Sequence, residues 1–342
     1  MFFSRFIYIF KDIFASKFMS GIIQIDSIRA FEQYPSYLIL YELEDDVSNT
    51  LQIPIRNIPK LRYTFGKLIY KSVSNFYVKR KKPEGFIFSI MMTPDYHRIY
   101  INKTNVIPYI IDYWKRYDEM FEKYFVHFPV VYISGLEVFE YLKAKKTKVN
   151  IKHLPLSVSD KLLSVFNDKK EKTIHIINVG RKNKIIDAYI KQYLLKYPDT
   201  NYVHREMENG ENIYYSTING KIGRLESRND LLQTLSQSKI AIVTSPGIDG
   251  GEQRTTGFNP VTPRVFEAAI GKCYMIGRYE ENKEFYDFGL DKLVEIPTSY
   301  DDFEIMVNQK LNTPFNLDEK YNAFLQANLN SKRIEKLVID LK

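Results

Sequence analysis

Short apolar runs of strand length alternate with stretches of helical spacing along almost the whole chain, and this alternation constrains the fold more than any other feature. Residues 173–179 (Thr-Ile-His-Ile-Ile-Asn-Val) and 239–244 (Lys-Ile-Ala-Ile-Val-Thr) are rich in β-branched residues, the pattern of strands covered on both faces in a parallel sheet. Helical segments follow over 184–197, stopped by Pro198, over 229–236, and over 263–270, stopped by Gly271. Further strands are expected at 201–204, 273–276 and 293–296, and a helix at 300–310. The first half repeats the pattern, with strands at 36–41, 85–90, 106–112, 130–134 and 149–154 and helices near 26–33, 58–76, 113–124 and 136–143. A polar connection over 155–172 divides the two arrays, and 317–341 reads as one closing helix. Alternating elements of this kind imply parallel sheets with helices on both faces. The expected domains are 1–160 and 161–315, with 316–342 a helix able to cross back to the first. Ligands of such sheets lie beyond the C-terminal strand ends, so the expected site is a cleft between the two domains.

Charge is distributed unevenly. Residues 1–160 hold 23 Lys and Arg against 16 Asp and Glu, a net +7; the other 26 basic and 25 acidic residues leave +1 of the chain's +8. A basic, aromatic first half points to an anionic surface or a polyanion as neighbour, or to a low-GC genome that inflates Lys, Tyr and Phe. The single cysteine, Cys273, excludes an internal disulfide and a cysteine-based metal cluster and fits a reducing compartment. No apolar run reaches the ~18 residues of a spanning helix. Residues 5–10 read as a buried first strand, because a helix-type segment and another strand follow; the alternative places Phe3, Phe6, Ile7, Phe10 and Phe14 on one helical face, as in an interfacial anchor. The cytoplasm, with the inner membrane face as a place of contact, is the expected location.

Three strand ends in the second half carry unusual chemistry. The first is Val179-Gly180-Arg181-Lys182-Asn183-Lys184, where a glycine ends a buried strand, three cations cluster and a helix begins. A helix N-terminus with Arg or Lys beside it suits a diphosphate. The second, from Thr244-Ser245-Pro246 to Gly257, holds Gly247, Gly250, Gly251 and Gly257, four of the chain's 15 glycines, with Arg254 among them. It is expected to expose backbone N–H groups and let a ligand approach; a flexible insertion is the alternative. The third is Thr262-Pro263-Arg264-Val265-Phe266-Glu267-Ala268-Ala269-Ile270-Gly271. There Thr262 is a candidate N-cap, and Arg264 and Glu267, three apart, share a helix face. A guanidinium fits a phosphate and a carboxylate fits a ribose diol; an ordinary intrahelical ion pair is the alternative.

In this order the three motifs resemble the C-terminal, donor-binding domain of the GT-B glycosyltransferases, most closely the group with an Arg-x-Phe-Glu-Ala helix (the CgeB-like type). The resemblance covers residues 173–310. It implies an α/β fold of two Rossmann-like parallel-sheet domains facing a cleft. It implies that Glu267 holds the ribose hydroxyls and that Gly180, Arg181, Lys182 and Lys184 face the diphosphate. Gly223, Arg224 and Leu225 would flank the base, and Ser245, Gly250, Gly251, Arg254 and Arg264 would complete the donor site. Many relatives carry a second glutamate eight positions before the first; here that position is Asn259, so the mechanism linked to the paired glutamates does not carry over directly.

The resemblance makes the first half the acceptor side. An inverting transferase needs a general base there; Asp112, ending an apolar strand, is the first candidate, followed by Asp95 and His97, with a helix N-cap as the other reading of Asp112. The implied activity moves a sugar from a nucleotide-sugar donor to a glycan or lipid-linked acceptor, as in cell-surface polysaccharide synthesis. No cofactor or metal is expected, because no acidic metal-binding pair stands out, and no nucleic-acid motif appears. A nucleotide-sugar epimerase of the same fold and a non-catalytic polyanion binder are the alternatives.

Overall fold

The computed structural model describes residues 21–31, 37–61, 64, 85–100, 104–165, 171–251 and 253–341, without the side chains at 164, 165 and 254. The N-terminal aromatic segment and most of the 58–76 helical segment lie outside these residues. The chain forms two compact units, Met1–Ser159 with Asn328–Lys342, and Asp160–Ala327.

The first unit is built on a six-stranded sheet of β1 (Ile22–Ser27), β2 (Ile55–Asn57), β3 (Phe86–Met91), β4 (Val106–Ile110), β5 (Val131–Ile133) and β6 (Ile151–His153). Their order is β2-β1-β3-β4-β5-β6 and every pair is parallel. The order reverses between β1 and β3, which makes the C-terminal ends of those two strands a topological switch point. Helices α1 (Leu38–Leu51), α2 (Asp118–Phe125) and α3 (Leu136–Ala144) accompany the sheet. Two expectations change here. Residues 36–41 read as a strand and 26–33 as a helix, but the strand is β1 and the helix is α1. The apolar run at 38–41 masks a 3.6-residue period: Ile39, Leu43, Val47 and Leu51 are all buried on one face. The acidic stretch 42–46 is part of this helix, with Glu44 ion-paired to Arg29 at 2.9 Å.

The second unit holds β7 (Ile174–Asn178), β8 (Tyr202–Glu208), β9 (Glu211–Ser216), β10 (Gly220–Gly223), β11 (Ser238–Thr244), β12 (Tyr274–Arg278) and β13 (Val294–Glu295). Their order is β10-β9-β8-β7-β11-β12-β13. Five strands are parallel, while β9 and β10 add on antiparallel. Asn209 and Gly210, both at positive φ, make the two-residue connection from β8 to β9, the signature of a twisted hairpin turn. Helices are α4 (Lys184–Lys196), α5 (Arg228–Ser236), α6 (Arg264–Ile270), α7 (Lys283–Asp287), α8 (Tyr300–Asn312) and α9 (Asp318–Ala327). Ile176, Ile240 and Ile276 from three adjacent strands pack with Ile186, Ile190 and Tyr193 of α4 and Phe303 and Val307 of α8. At Gly277 a Cβ would lie 1.6 Å from the Val243 carbonyl, so only glycine lets β12 pass β11 there.

The closing segment is two helices, not one. α9 ends at Ala327, and α10 (Asn330–Asp340) belongs to the first unit. Asn330 accepts from Ser157 Oγ (2.6 Å) and donates to Asp46 (2.9 Å), while Arg333 donates to the Pro155 carbonyl (3.0 Å). These buried polar partners are what α10 offers the first unit beyond its apolar stripe of Ile334 and Leu337.

Candidate functional site

The C-terminal rim of the second sheet gathers most of the second-half candidates. After β7 the chain turns at Gly180, whose N–H donates to Asn178 Oδ1 (3.1 Å). Asn183 then caps α4, accepting from the N–H groups of Ile185 (3.0 Å) and Ile186 (3.2 Å). A Cβ at Gly180 would have 3.6 Å to Asn178 and 4.0 Å to the Arg264 side chain, so Arg264 stands directly beside this turn. Arg181 is exposed on it. Lys182 is ion-paired to Glu206 of β8. Lys184 Nζ lies 3.3 Å from where a Cβ on Gly250 would sit.

Next to the turn is a buried cationic cluster. Glu267 on α6 is 2% exposed. One of its oxygens accepts from Arg228, the first residue of α5, and the other from Arg264, one turn back on its own helix. Burial pushes the Glu267 carboxyl up, but Arg264 and Arg228 outweigh it and hold the group below the ordinary carboxylate range. Arg205 of β8 is the third guanidinium here. Burial, and then the like charge of Arg264, lower it from its ordinary value. Among the described residues no carboxylate lies within ion-pair distance of it. Two arginines thus hold one buried carboxylate, a third stands by Arg264, and each Glu267 oxygen keeps a second lone pair. Sequence reasoning misses Arg205 and Arg228, because both enter through tertiary packing; the Asn209-Gly210 turn signal, which sets the hairpin beside β8, was the available clue.

The glycine-rich segment is a built element rather than an open loop. A Cβ at Gly247 would lie 2.5 Å from Thr255 Oγ1 and 2.8 Å from the Phe258 carbonyl, and one at Gly251 would lie 2.5 Å from the Pro246 carbonyl. The Gly251 N–H donates to Ile248 O (2.9 Å). These two glycines therefore serve the loop's own packing, a correction to the expectation that they admit a ligand. Asp249 (φ 56°) accepts from Asn183 Nδ2 (2.9 Å) and pairs in two-pronged fashion with Arg278 at the end of β12 (2.9 and 2.8 Å), tying β7, the loop and β12 together. Ser245 is buried; its Oγ donates to Asn259 Oδ1 (3.0 Å) and its N–H to the Arg278 carbonyl (3.0 Å). The Arg254 side chain lies outside those described.

Arg224 and Leu225 come shortly before Arg228 in the chain. They follow β10, the edge strand, where Arg224 is exposed and paired with Glu211 (2.8 Å) and Leu225 is half-buried. A cavity of about 300 Å³ opens at the opposite rim, lined by Lys172, Lys239 and Lys272 with Tyr274 and Phe315. Lys172 donates to the carbonyls of Gly271 (2.7 Å) and Lys272 (3.1 Å), and Lys239 to that of Leu311 (2.5 Å), so these ammoniums cap the C-terminal ends of α6 and α8.

In the first unit, Asp95 and Asp112 follow the adjacent strands β3 and β4 on the C-terminal rim. Asp95 pairs with Arg98 (3.3 Å), and the Asp112 N–H donates to the Met92 carbonyl (2.7 Å). The helix after Asp112 begins only at Asp118, so Asp112 is not its cap. His97 is 4% exposed, stacked on Tyr124 (5.0 Å), with Nδ1 2.7 Å from the Pro94 carbonyl; burial lowers its pKa to about 4. That places His97 in the core rather than on the rim. Among the described residues no group of three or more His, Cys, Asp or Glu could hold a metal ion, and no helix is long and apolar enough to cross a membrane.

No protein-family model and no curated protein matches the chain. Among solved structures, a variant of TarM from S. aureus, in complex with fondaparinux, alpha-GlcNAc-glycerol and UDP, superposes over 81% of this chain and 57% of its own length. The TM-score is 0.53 and the identity 12%. The chain has the GT-B fold. Two further alignments span nearly whole chains. A DNA-modifying beta-glucosyltransferase matches at 13% identity, 93% of this chain and 96% of its own, with TM-score 0.44. A UDP-N-acetylglucosamine 2-epimerase described as putative, from Listeria monocytogenes, matches at 11% identity, 93% and 95%, with TM-score 0.44. This chain spans about three fifths of the first two solved chains it matches, 60% of one from a GtfA/B complex and 57% of TarM.

Proposed function

We propose that this GT-B chain is a glycosyltransferase that moves a sugar from a nucleotide-sugar donor to a glycan or lipid-linked acceptor in cell-surface polysaccharide synthesis. One observation carries the reading: Arg205, with no carboxylate within ion-pair distance among the described residues, stands by the Arg264–Glu267 pair, beside the Gly180 turn and the start of α4. Buried charge that exceeds its counter-charge is stabilised by an anion, and a diphosphate is the anion a strand–glycine–helix turn accommodates. In this reading Arg264 and Arg205, with Arg181 and Lys184, take the diphosphate, and the remaining lone pairs of Glu267 accept the ribose hydroxyls. An acceptor oxygen attacks the anomeric carbon, the bond to the diphosphate breaks, and the nucleoside diphosphate leaves with the electron pair onto preorganised donors. Asp112, or Asp95, takes the acceptor's proton if the transfer inverts. The guanidiniums supply the charge a metal would otherwise provide, so the reading requires none. The +7 of residues 1–160 is assigned to an anionic acceptor or a membrane surface on the cytoplasmic side.

TarM was solved with UDP, which makes UDP and UDP-sugars the first ligands to test, followed by the other nucleoside diphosphates. A bound nucleotide raises the unfolding midpoint of the native chain. The expected result is a saturable rise with one nucleoside diphosphate, lost in Glu267→Ala. No rise with any of them, or an undiminished rise in Glu267→Ala, contradicts the assignment. Incubation with donor alone, followed by analysis for an isomerised sugar, distinguishes transfer from epimerisation.

A further inference from the structure

Three carboxylates at the rim of the second sheet are held in different ways. Asp249 is neutralised by Arg278, and Glu267 by two arginines. Glu280, two residues beyond β12, is exposed and held instead by an amide: Asn259 Nδ2 donates to its Oε2 at 2.6 Å. Among the described residues no cation is paired with it. We propose that Glu280 is a specificity-determining residue that accepts hydroxyl groups of the donor sugar, and that Asn259 is its positioning residue. This rests on the donor site proposed above.

The holding arrangement is more elaborate than an exposed glutamate needs. Asn259 is itself buried, at 8% exposure, with Oδ1 accepting from the buried Ser245 and Nδ2 also reaching the Gly257 carbonyl (3.3 Å). Gly247 packs against it so closely that a Cβ would lie 2.9 Å from Oδ1. A rigid loop thus aims one amide N–H at one exposed carboxylate on the neighbouring strand end. The partner is an amide and not a cation, and about three of the four lone-pair sites of the Glu280 carboxylate are open to further donors. Hydroxyl groups bound to a carboxylate form the strong, charge-assisted class of hydrogen bond. The place also fits: β12 lies two strand spacings, about 10 Å, from β7 and its Gly180 turn. A diphosphate at that turn followed by one pyranose ring leads toward β12.

The test compares Glu280→Gln and Asn259→Ala with wild type in the full chain. It reads affinity for the nucleoside diphosphate by calorimetry, and turnover of the preferred nucleotide sugar against its analogues lacking or inverting one hydroxyl. The expected result for Glu280→Gln is a nucleoside diphosphate affinity within about twofold of wild type and a discrimination between sugars reduced about 10- to 100-fold, the range set by a lost charged hydrogen bond. Asn259→Ala loses less discrimination, since the carboxylate remains but is no longer aimed. Unchanged discrimination in Glu280→Gln overturns the inference while leaving the donor site standing. A wild-type chain that binds no nucleotide removes the donor site and this inference together.

Discussion

Each unit buries a glutamate against arginine, and the two are treated oppositely. In the first, Glu44 meets only Arg29, which divides its guanidinium between Glu44 and Asp45. Burial is the larger effect there, and the carboxyl is pushed up to about 7. In the second, Glu267 meets Arg228 and Arg264, with Arg205 close by, and is held below its ordinary value although it is equally buried. Around Glu44 the acids outnumber the base; around Glu267 the bases outnumber the acid. The first arrangement is complete in itself, because protonation relieves the surplus. The second cannot be relieved that way, since guanidinium stays protonated, and its surplus is left for an anion from outside. The net charges of the two halves hide this: the near-neutral half holds the concentrated positive site.

The largest expected effect separates the two glutamates directly. Glu267→Gln leaves two buried guanidiniums facing a neutral amide and should cost about 3–5 kcal/mol, as removal of one partner from a buried ion pair does. Glu44→Gln replaces a carboxyl whose ionisation already weakens the folded state near neutrality, and it should not lower stability. Urea unfolding at pH 7, resolved by unit through amide exchange, measures both; equal losses would break the comparison.

The pH dependence comes next, with opposite signs. The Glu44 carboxyl is raised in the folded state, so its contribution is fully present below pH 4.5 and is lost as pH rises through about 7, by about 3 kcal/mol. Glu267 is lowered, so its contribution is present above pH 4.5 and is lost as pH falls below it. Amide exchange between about pH 3 and 7.5 should show the upper slope vanish in Glu44→Gln and the slope below pH 4.5 vanish in Glu267→Gln. A slope that persists in its own variant contradicts the assignment.

The smallest effect concerns glycine. Gly180 is at an ordinary φ with room for a Cβ, so Gly180→Ala should change stability by less than about 1 kcal/mol while weakening nucleotide binding. Gly277→Ala, by contrast, meets a carbonyl and should prevent the second sheet from closing. Thermal unfolding and nucleotide titration of the two variants separate a glycine kept for a ligand from one kept for the fold.

These contrasts also show what sequence patterns reveal. The β-branched run at 173–179 appears as β7, and Arg264 and Glu267, three apart, form their ion pair, because both depend on local periodicity. The second-half motifs therefore led to the GT-B fold through the order of their strand ends. Residues 38–41 misled because four consecutive apolar residues look alike in a strand and a buried helix, and the deciding positions, Leu43, Val47 and Leu51, sit among acids. Arg205 and Arg228 come from a hairpin strand and a helix start that only the sheet order brings beside Glu267. The glycine-rich loop looked open because composition does not distinguish glycines that admit a ligand from glycines that admit their own loop.

The surplus of arginine is tested most directly by Arg205→Met, with stability and nucleoside diphosphate affinity measured on the same samples. The surplus predicts a chain at least as stable as wild type, since a half-buried charge with no carboxylate at ion-pair distance is replaced by an apolar side chain, together with an affinity reduced about 10-fold or more. A destabilised chain that binds the nucleotide as wild type does would show that Arg205 serves the fold, and would contradict the account.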